Sequence, residues 1–188
     1  MSDWRALFST ALPYDAFLNT HGNPERRRRW DAIREKVAME ASQRALLAGF
    51  TRQMNVLCVA ATWCGDCANQ GSILETIAAS SPRITLRFLD RDTADPAVLA
   101  AVRINGGERV PIAVFLSEDF EDCGHYGDRT LSFYRQMAEE MLGPACSTGL
   151  VPPSAALLSA GVREWLVEFE RIQWMLRLTG RLRELHGD

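Results

Sequence analysis

Apolar and polar positions along the chain fall into two kinds of pattern, stripes at helical spacing and short, nearly continuous runs. Residues 1–24 are mixed, ending in the turn-like His21-Gly22-Asn23-Pro24. From there Trp30, Ile33, Val37, Ala41, Ala45 and Leu46 lie close to helical spacing, which predicts one helix from Glu25 to about Gly49. Met54–Ala60 is a strand expected to be buried on both faces, because nearly every position in it is apolar. After the loop Ala61-Thr62-Trp63, a helix is expected from Cys64 to about Ser80, with Pro82 just beyond its end. Ile84–Asp90 reads as a second strand, and Asp92 to about Arg103 as a short helix capped by Asp92 or Thr93. Asn105-Gly106-Gly107 breaks the chain. Val110–Leu116 and Phe120–Tyr126 are third and fourth strands, and their short connection favours an antiparallel hairpin. Pro111 is tolerable at a strand start, where no ladder donor is needed. A helix from Arg129 to about Leu142 ends at Gly143-Pro144. Residues 145–160, rich in Pro, Gly, Ser and Ala, read as a surface connection. The stripe Val162, Trp165, Leu166, Phe169, Ile172 and Leu176 predicts a last helix over Gly161–Leu185.

The order strand–helix–strand–helix–strand–strand–helix, framed by two long helices, predicts an α/β fold. Its central strand–helix–strand unit demands a parallel pair with a right-handed crossover. A chain of 188 residues suits one domain with some decoration. Its net charge of −3 gives no global attraction to nucleic acid or to an anionic membrane, so neither is expected as a partner. No apolar run approaches the roughly 20 residues needed to cross a bilayer. The N-terminal stretch lacks a basic start followed by an apolar segment, and a cytoplasmic location is therefore expected.

The chemistry is concentrated in the cysteines. Cys58, Cys64, Cys67, Cys123 and Cys146 form an odd, sparse set, a poor disulfide framework. The close pair is Cys64 and Cys67, at the point where a strand gives way to a helix. A thiol at a helix N-terminus is favoured as thiolate by unpaired backbone N–H groups and the helix dipole. A second thiol three residues on shares the same helical face and can reach the first. Gly65 between them leaves room for a partner. The spacing therefore supplies an attacking thiol, Cys64, and a resolving thiol, Cys67.

Trp63-Cys64-Gly65-Asp66-Cys67 resembles the thioredoxin motif WCGPC, and the element order from about Gln53 to Leu142 resembles the thioredoxin fold. The resemblance covers about half of the chain. It implies a three-layer sandwich with a mixed central sheet over residues 53–143, here preceded by a helical extension over 1–52. A connection and a C-terminal helix packed on the core follow over 144–188. It implies a cis peptide bond at Val110-Pro111, opposite the dithiol, with the Val110 backbone available to an extended substrate. It also implies that Trp63 shields the dithiol and that Gly127, after Tyr126, lines the substrate groove. The implied activity is thiol–disulfide exchange on disulfide-containing proteins or small thiols, with no cofactor but with an external reductant to recycle the pair. Three positions depart from the family pattern: Asp66 replaces proline, Cys58 replaces a buried aspartate, and Ser72 stands where a proline often kinks the helix. A carboxylate at Asp66 is expected to disfavour the Cys64 thiolate.

Other readings stand beside this one. The pair could be half of a structural zinc site completed by Cys123 and His125, which share one face of the fourth strand. The domain could be a partner-binding or redox-sensing module without turnover. Cys58 reads as a small buried hydrophobe, and Cys123 and Cys146 as ordinary thiols. The run Arg26-Arg27-Arg28-Arg29 reads as a solvated helix face. Trp165 and Phe169 read as core or interface residues.

Overall fold

A computed structural model describes residues 3–142 and 153–188. Four strands form one mixed sheet among these residues: β1 (Met54–Ala60), β2 (Ile84–Asp90), β3 (Ile112–Leu116) and β4 (Asp122–Gly127). Their spatial order is β2-β1-β3-β4. β1 runs parallel to β2 and antiparallel to β3, and β3 pairs antiparallel with β4. Every residue of β1 is buried, as its unbroken apolar run demands of a central strand. The β2 edge does not stand open. Leu12 pairs with Phe88 through reciprocal backbone hydrogen bonds of 2.9 and 2.7 Å, which blunts that edge.

Strand alternation divides the core between the two faces of the sheet. Val56, Cys58, Ala60, Ala113 and Phe115 face the larger core, with α3 (Pro24–Arg34), α5 (Gly65–Ala79) and α8 (Ala155–Leu178). Leu57, Ile112, Val114 and Leu116 face a smaller one, covered by Phe8 and Ala11 from the α1 region (Trp4–Thr10). The layers are therefore helix, sheet, helix. α8 is fastened to the rest by polar contacts in apolar surroundings. The Trp165 indole donates to Gln70 at 2.6 Å, and the Gln173 amide accepts from the backbone N–H groups of Thr51 and Arg52. No helix among the described residues is long and apolar enough to cross a membrane.

The structure redraws several expected elements. The mixed N-terminal stretch contains two short helices, α1 and α2 (Tyr14–His21); each spans about two turns, too short to print a clear stripe. The single helix expected from Glu25 to Gly49 is two, α3 and α4 (Ala41–Ala48). Residues 35–40 leave the helix through i→i+3 bonds from Lys36 and Val37, and Glu40 starts α4 with a reciprocal capping box to Gln43. Val37 is buried from this non-helical stretch, so its spacing from Ile33 matches a helix that does not continue this far. The short helix after β2, α6 (Pro96–Ala101), is capped by Asp95, with Pro96 at its first turn, rather than by Asp92 or Thr93. β3 starts at Ile112 rather than Val110, β4 begins two residues later than expected, and α7 (Leu131–Leu142) likewise. The last helix begins earlier, at Ala155, and breaks at Thr179 into α8 and α9 (Gly180–His186). Part of the expected surface connection, together with Cys146, lies outside the described residues.

Candidate functional site

The dithiol lies where β1 passes into α5. Cys64 is the N-cap of α5, with extended backbone (φ −76°, ψ 129°), and its Sγ accepts from the Cys67 N–H at 3.5 Å. Cys67, one turn in, is fully buried, and its Sγ accepts from the Ala61 N–H at 3.4 Å. Cys64 is half-buried, and both thiols are free. One sulfur thus meets solvent and the other stands behind it.

The two thiols are pushed in opposite directions. The Cys67 side chain hydrogen-bonds the Cys64 thiolate and lowers the Cys64 pKa to about 7; burial works against this, the Cys67 and Asp66 backbone N–H groups add to it, and the Asp66 carboxylate opposes it. Burial, and then the bond and charge of Cys64, hold the Cys67 thiol well above its ordinary value. Cys58 is buried beneath the pair, and desolvation pushes its thiol far up, so it stays neutral. It cannot serve as the proton acceptor that a carboxylate there would be.

Val110-Pro111 is a cis bond, and the Val110 carbonyl oxygen lies 3.8 Å from the Cys64 Sγ. Gly127 approaches the same segment from β4. A Cβ there would stand 2.3 Å from the Pro111 carbonyl oxygen, so only glycine fits. Cys64, Cys67, Val110, Pro111 and Gly127 are therefore brought together. Trp63 is 47% exposed, and its indole donates to Asp92 at 2.7 Å, which ties the ring to the loop after β2.

Asp66 does not stand alone beside Cys64. Its carboxylate is paired with Arg129, and Arg129 also pairs with Asp128 at 2.9 Å. Asp128 is buried and accepts from Tyr134 and, at 3.2 Å, from Arg109. Burial opposes its ionisation, but these hydrogen bonds and the Arg129 charge hold its carboxyl below the usual value. An ionic chain thus runs from Asp66 to the segment after β4. The motif gives no sign of it, because its members lie some 60 residues apart in sequence.

The loop before Cys64 is anchored from α3. The Trp30 indole donates to the Thr62 carbonyl at 3.0 Å, and the Thr62 hydroxyl donates to the His21 carbonyl at 2.8 Å. Cys123 and His125 are neighbours on β4. Among the described residues, no three His, Cys, Asp or Glu side chains converge as a metal-ion site.

A family model described as thioredoxin matches residues 11–141. The chain belongs to the thioredoxin family. Among solved structures, this thioredoxin-family chain is similar to a protein of unknown function from Pseudomonas aeruginosa, PA1234. The TM-score is 0.70 at 18% identity, over 92% of this chain and 97% of that one. It is also similar to an HIV epitope-scaffold, with a TM-score of 0.68 at 19% identity, over 91% of this chain and 97% of the scaffold. At such identities the likeness shows the fold. Both matches run beyond the core into the terminal helices, so the decorated thioredoxin architecture recurs. No curated protein matches the chain.

Proposed function

We propose that the protein is a thiol–disulfide oxidoreductase working through Cys64 and Cys67. The observation that carries this reading is the contrast between the two thiols. One heads a helix, meets solvent and ionises near pH 7; the other is buried and stays protonated until it is needed. Family membership supports the same class of chemistry.

In the first step the Cys64 thiolate attacks one sulfur of a substrate disulfide. The substrate S–S bond breaks, a mixed disulfide forms on Cys64, and the departing substrate thiolate takes up a proton. In the second step Cys67 attacks the Cys64 Sγ. Its proton passes to the second departing thiolate, and the Cys64–Cys67 disulfide closes. The substrate has gained two electrons from the pair and two protons, one from solvent and one from Cys67; an external dithiol reductant then gives two electrons to the Cys64–Cys67 disulfide and is itself oxidised. Val110, before the cis bond, offers its backbone to the extended substrate. Trp63 covers one side of the dithiol and Gly127 lines the groove. The test is reduction of a disulfide substrate with dithiothreitol as the recycling reductant. The rate should rise through about pH 7 and then level, because thiolate is the attacking form. No reduction of any disulfide would overturn the proposal.

Asp66 tunes the attacking thiol, and Arg129 moderates it. Asp66→Asn should lower the Cys64 pKa, because the opposing carboxylate goes while the favourable backbone N–H stays. Arg129→Gln should raise it, because the Asp66 charge is then unmasked. Thiolate absorbance against pH reads both. Identical titration curves in the two variants and the parent would remove Asp66 from this role.

A further inference from the structure

The basic run at the start of α3 does not behave as one solvated face. Arg27 is neutralised twice, by Asp15 and Asp31, each at 2.6 Å. Arg28 is exposed. Arg26 and Arg29, three residues apart, share a side of the helix and turn toward the dithiol loop. The Arg26 Nη1 lies 3.4 Å from the Thr62 Oγ1. The Arg29 Nη2 lies across Gly65, where a Cβ would be 2.6 Å from it. Gly65 is the residue directly after Cys64. The spacing of Arg26, Arg29 and Trp30 on one helical face held a sign of this, since Trp30 anchors the same loop.

Two carboxylates beside the dithiol already have cations: Asp66 is held by Arg129, and Asp92 lies 3.4 Å from Arg91. Asp90 is buried beside the His21 ring, 3.7 Å away. Glu25, one turn before Arg29, makes no ion pair with it. Among the described residues neither Arg26 nor Arg29 has a carboxylate within ion-pair distance. Two guanidinium groups are thus positioned against the loop that carries the nucleophile, with their charge unspent. A guanidinium presents a planar fork of donors that matches a carboxylate.

We propose that Arg26 and Arg29 form a substrate-selecting site that favours disulfides flanked by acidic residues. This rests on the thiol–disulfide exchange reading. The carboxylate beside the substrate cysteine pairs with the guanidinium over Gly65, which brings the substrate sulfur to Cys64. The pair acts on capture and orientation of the substrate, and the exchange chemistry remains that of the two cysteines.

The test uses the full chain, dithiothreitol as reductant and three fluorescent peptide disulfides of equal length, flanked by Asp, Ser or Lys. The same acidic flanks placed around a disulfide in a folded protein separate a protein substrate from a short peptide. For the parent, kcat/KM should rank Asp above Ser above Lys, and the spread should shrink between low salt and 0.5 M salt, used here as a strongly screening condition of about 4 Å Debye length. In Arg26→Gln/Arg29→Gln the Asp-to-Lys ratio should fall roughly three- to tenfold, as expected for losing two charges near the surface. Arg28→Gln, with one charge lost from the same helix, should leave that ratio in place. Turnover without charge preference, or an equal fall in Arg28→Gln, overturns this inference and leaves the exchange reading standing. No turnover of any peptide by the parent overturns both.

Discussion

Cys67→Ser should convert the protein from a reductase into a trap. The attacking thiol is retained at the head of α5, so the first exchange still proceeds and a mixed disulfide forms on Cys64. The group that would release it is gone. Substrates from an extract whose free thiols have been blocked with its disulfides left intact should accumulate as adducts that a dithiol reductant removes. Cys64→Ser should form none at this site, because the remaining thiol is buried and held protonated. Turnover should be lost in both variants, by at least about two orders of magnitude, in line with removal of a nucleophile or of its obligatory partner. The experiment is cleanest after replacing Cys58, Cys123 and Cys146, so that adducts report the dithiol alone. The Cys67 side chain supplies the leading stabilisation of the Cys64 thiolate. Serine keeps a hydroxyl donor there, whereas Cys67→Ala should raise the Cys64 pKa and slow trapping at neutral pH. Equal adduct formation by Cys64→Ser and Cys67→Ser would contradict the division of labour. A pure binding module would show no such asymmetry.

Much of this site was legible because its parts are local. The strand, the helix start and the Cys64–Cys67 spacing lie within one continuous stretch, Met54 to Cys67, and backbone physics dictates what such a sequence does. The Val110-Pro111 segment needed the family resemblance, since an X-Pro bond alone does not declare its isomer. Features carried by long-range contacts were not legible. The Asp66–Arg129–Asp128 chain depends on β4 returning beside β3, which brings residue 129 to residue 66. Asp92, which with Thr93 is a candidate helix cap in the sequence, instead accepts from the Trp63 indole, and Asp95 does the capping. A helix cap and an indole acceptor call for the same short acid, so the sequence alone does not separate them. A different ambiguity joins α3 and α4 in the pattern: Val37 is buried from an irregular stretch at a position where a continuous helix would also place an apolar side chain.

The second large effect is expected at Trp30, which joins the N-terminal helices to the dithiol. The ring is fully buried among Tyr14, Phe17 and Phe88, with centroid separations of 5.8, 6.0 and 6.1 Å. It also fills the space above Gly71 of α5 so closely that a Cβ there would stand 2.6 Å from it. Trp30→Ala should therefore destabilise the fold by about 3–5 kcal/mol, the range for emptying a core aromatic site that cannot collapse. Urea unfolding should show a lower midpoint with an unchanged slope. Trp30→Phe separates packing from anchoring. It keeps most of the apolar volume but removes the donor to the Thr62 carbonyl, leaving that buried acceptor short of a partner at a cost of about 1–3 kcal/mol. The lost bond holds the residue just before Trp63-Cys64. The folded Trp30→Phe protein should consequently lose disulfide-reducing rate while remaining folded under assay conditions. A Trp30→Ala protein within about 1 kcal/mol of the parent would mean that the surrounding aromatics close the gap. A fully active Trp30→Phe protein would mean that the Thr62 hydroxyl, through its bond to His21, is enough to hold the loop.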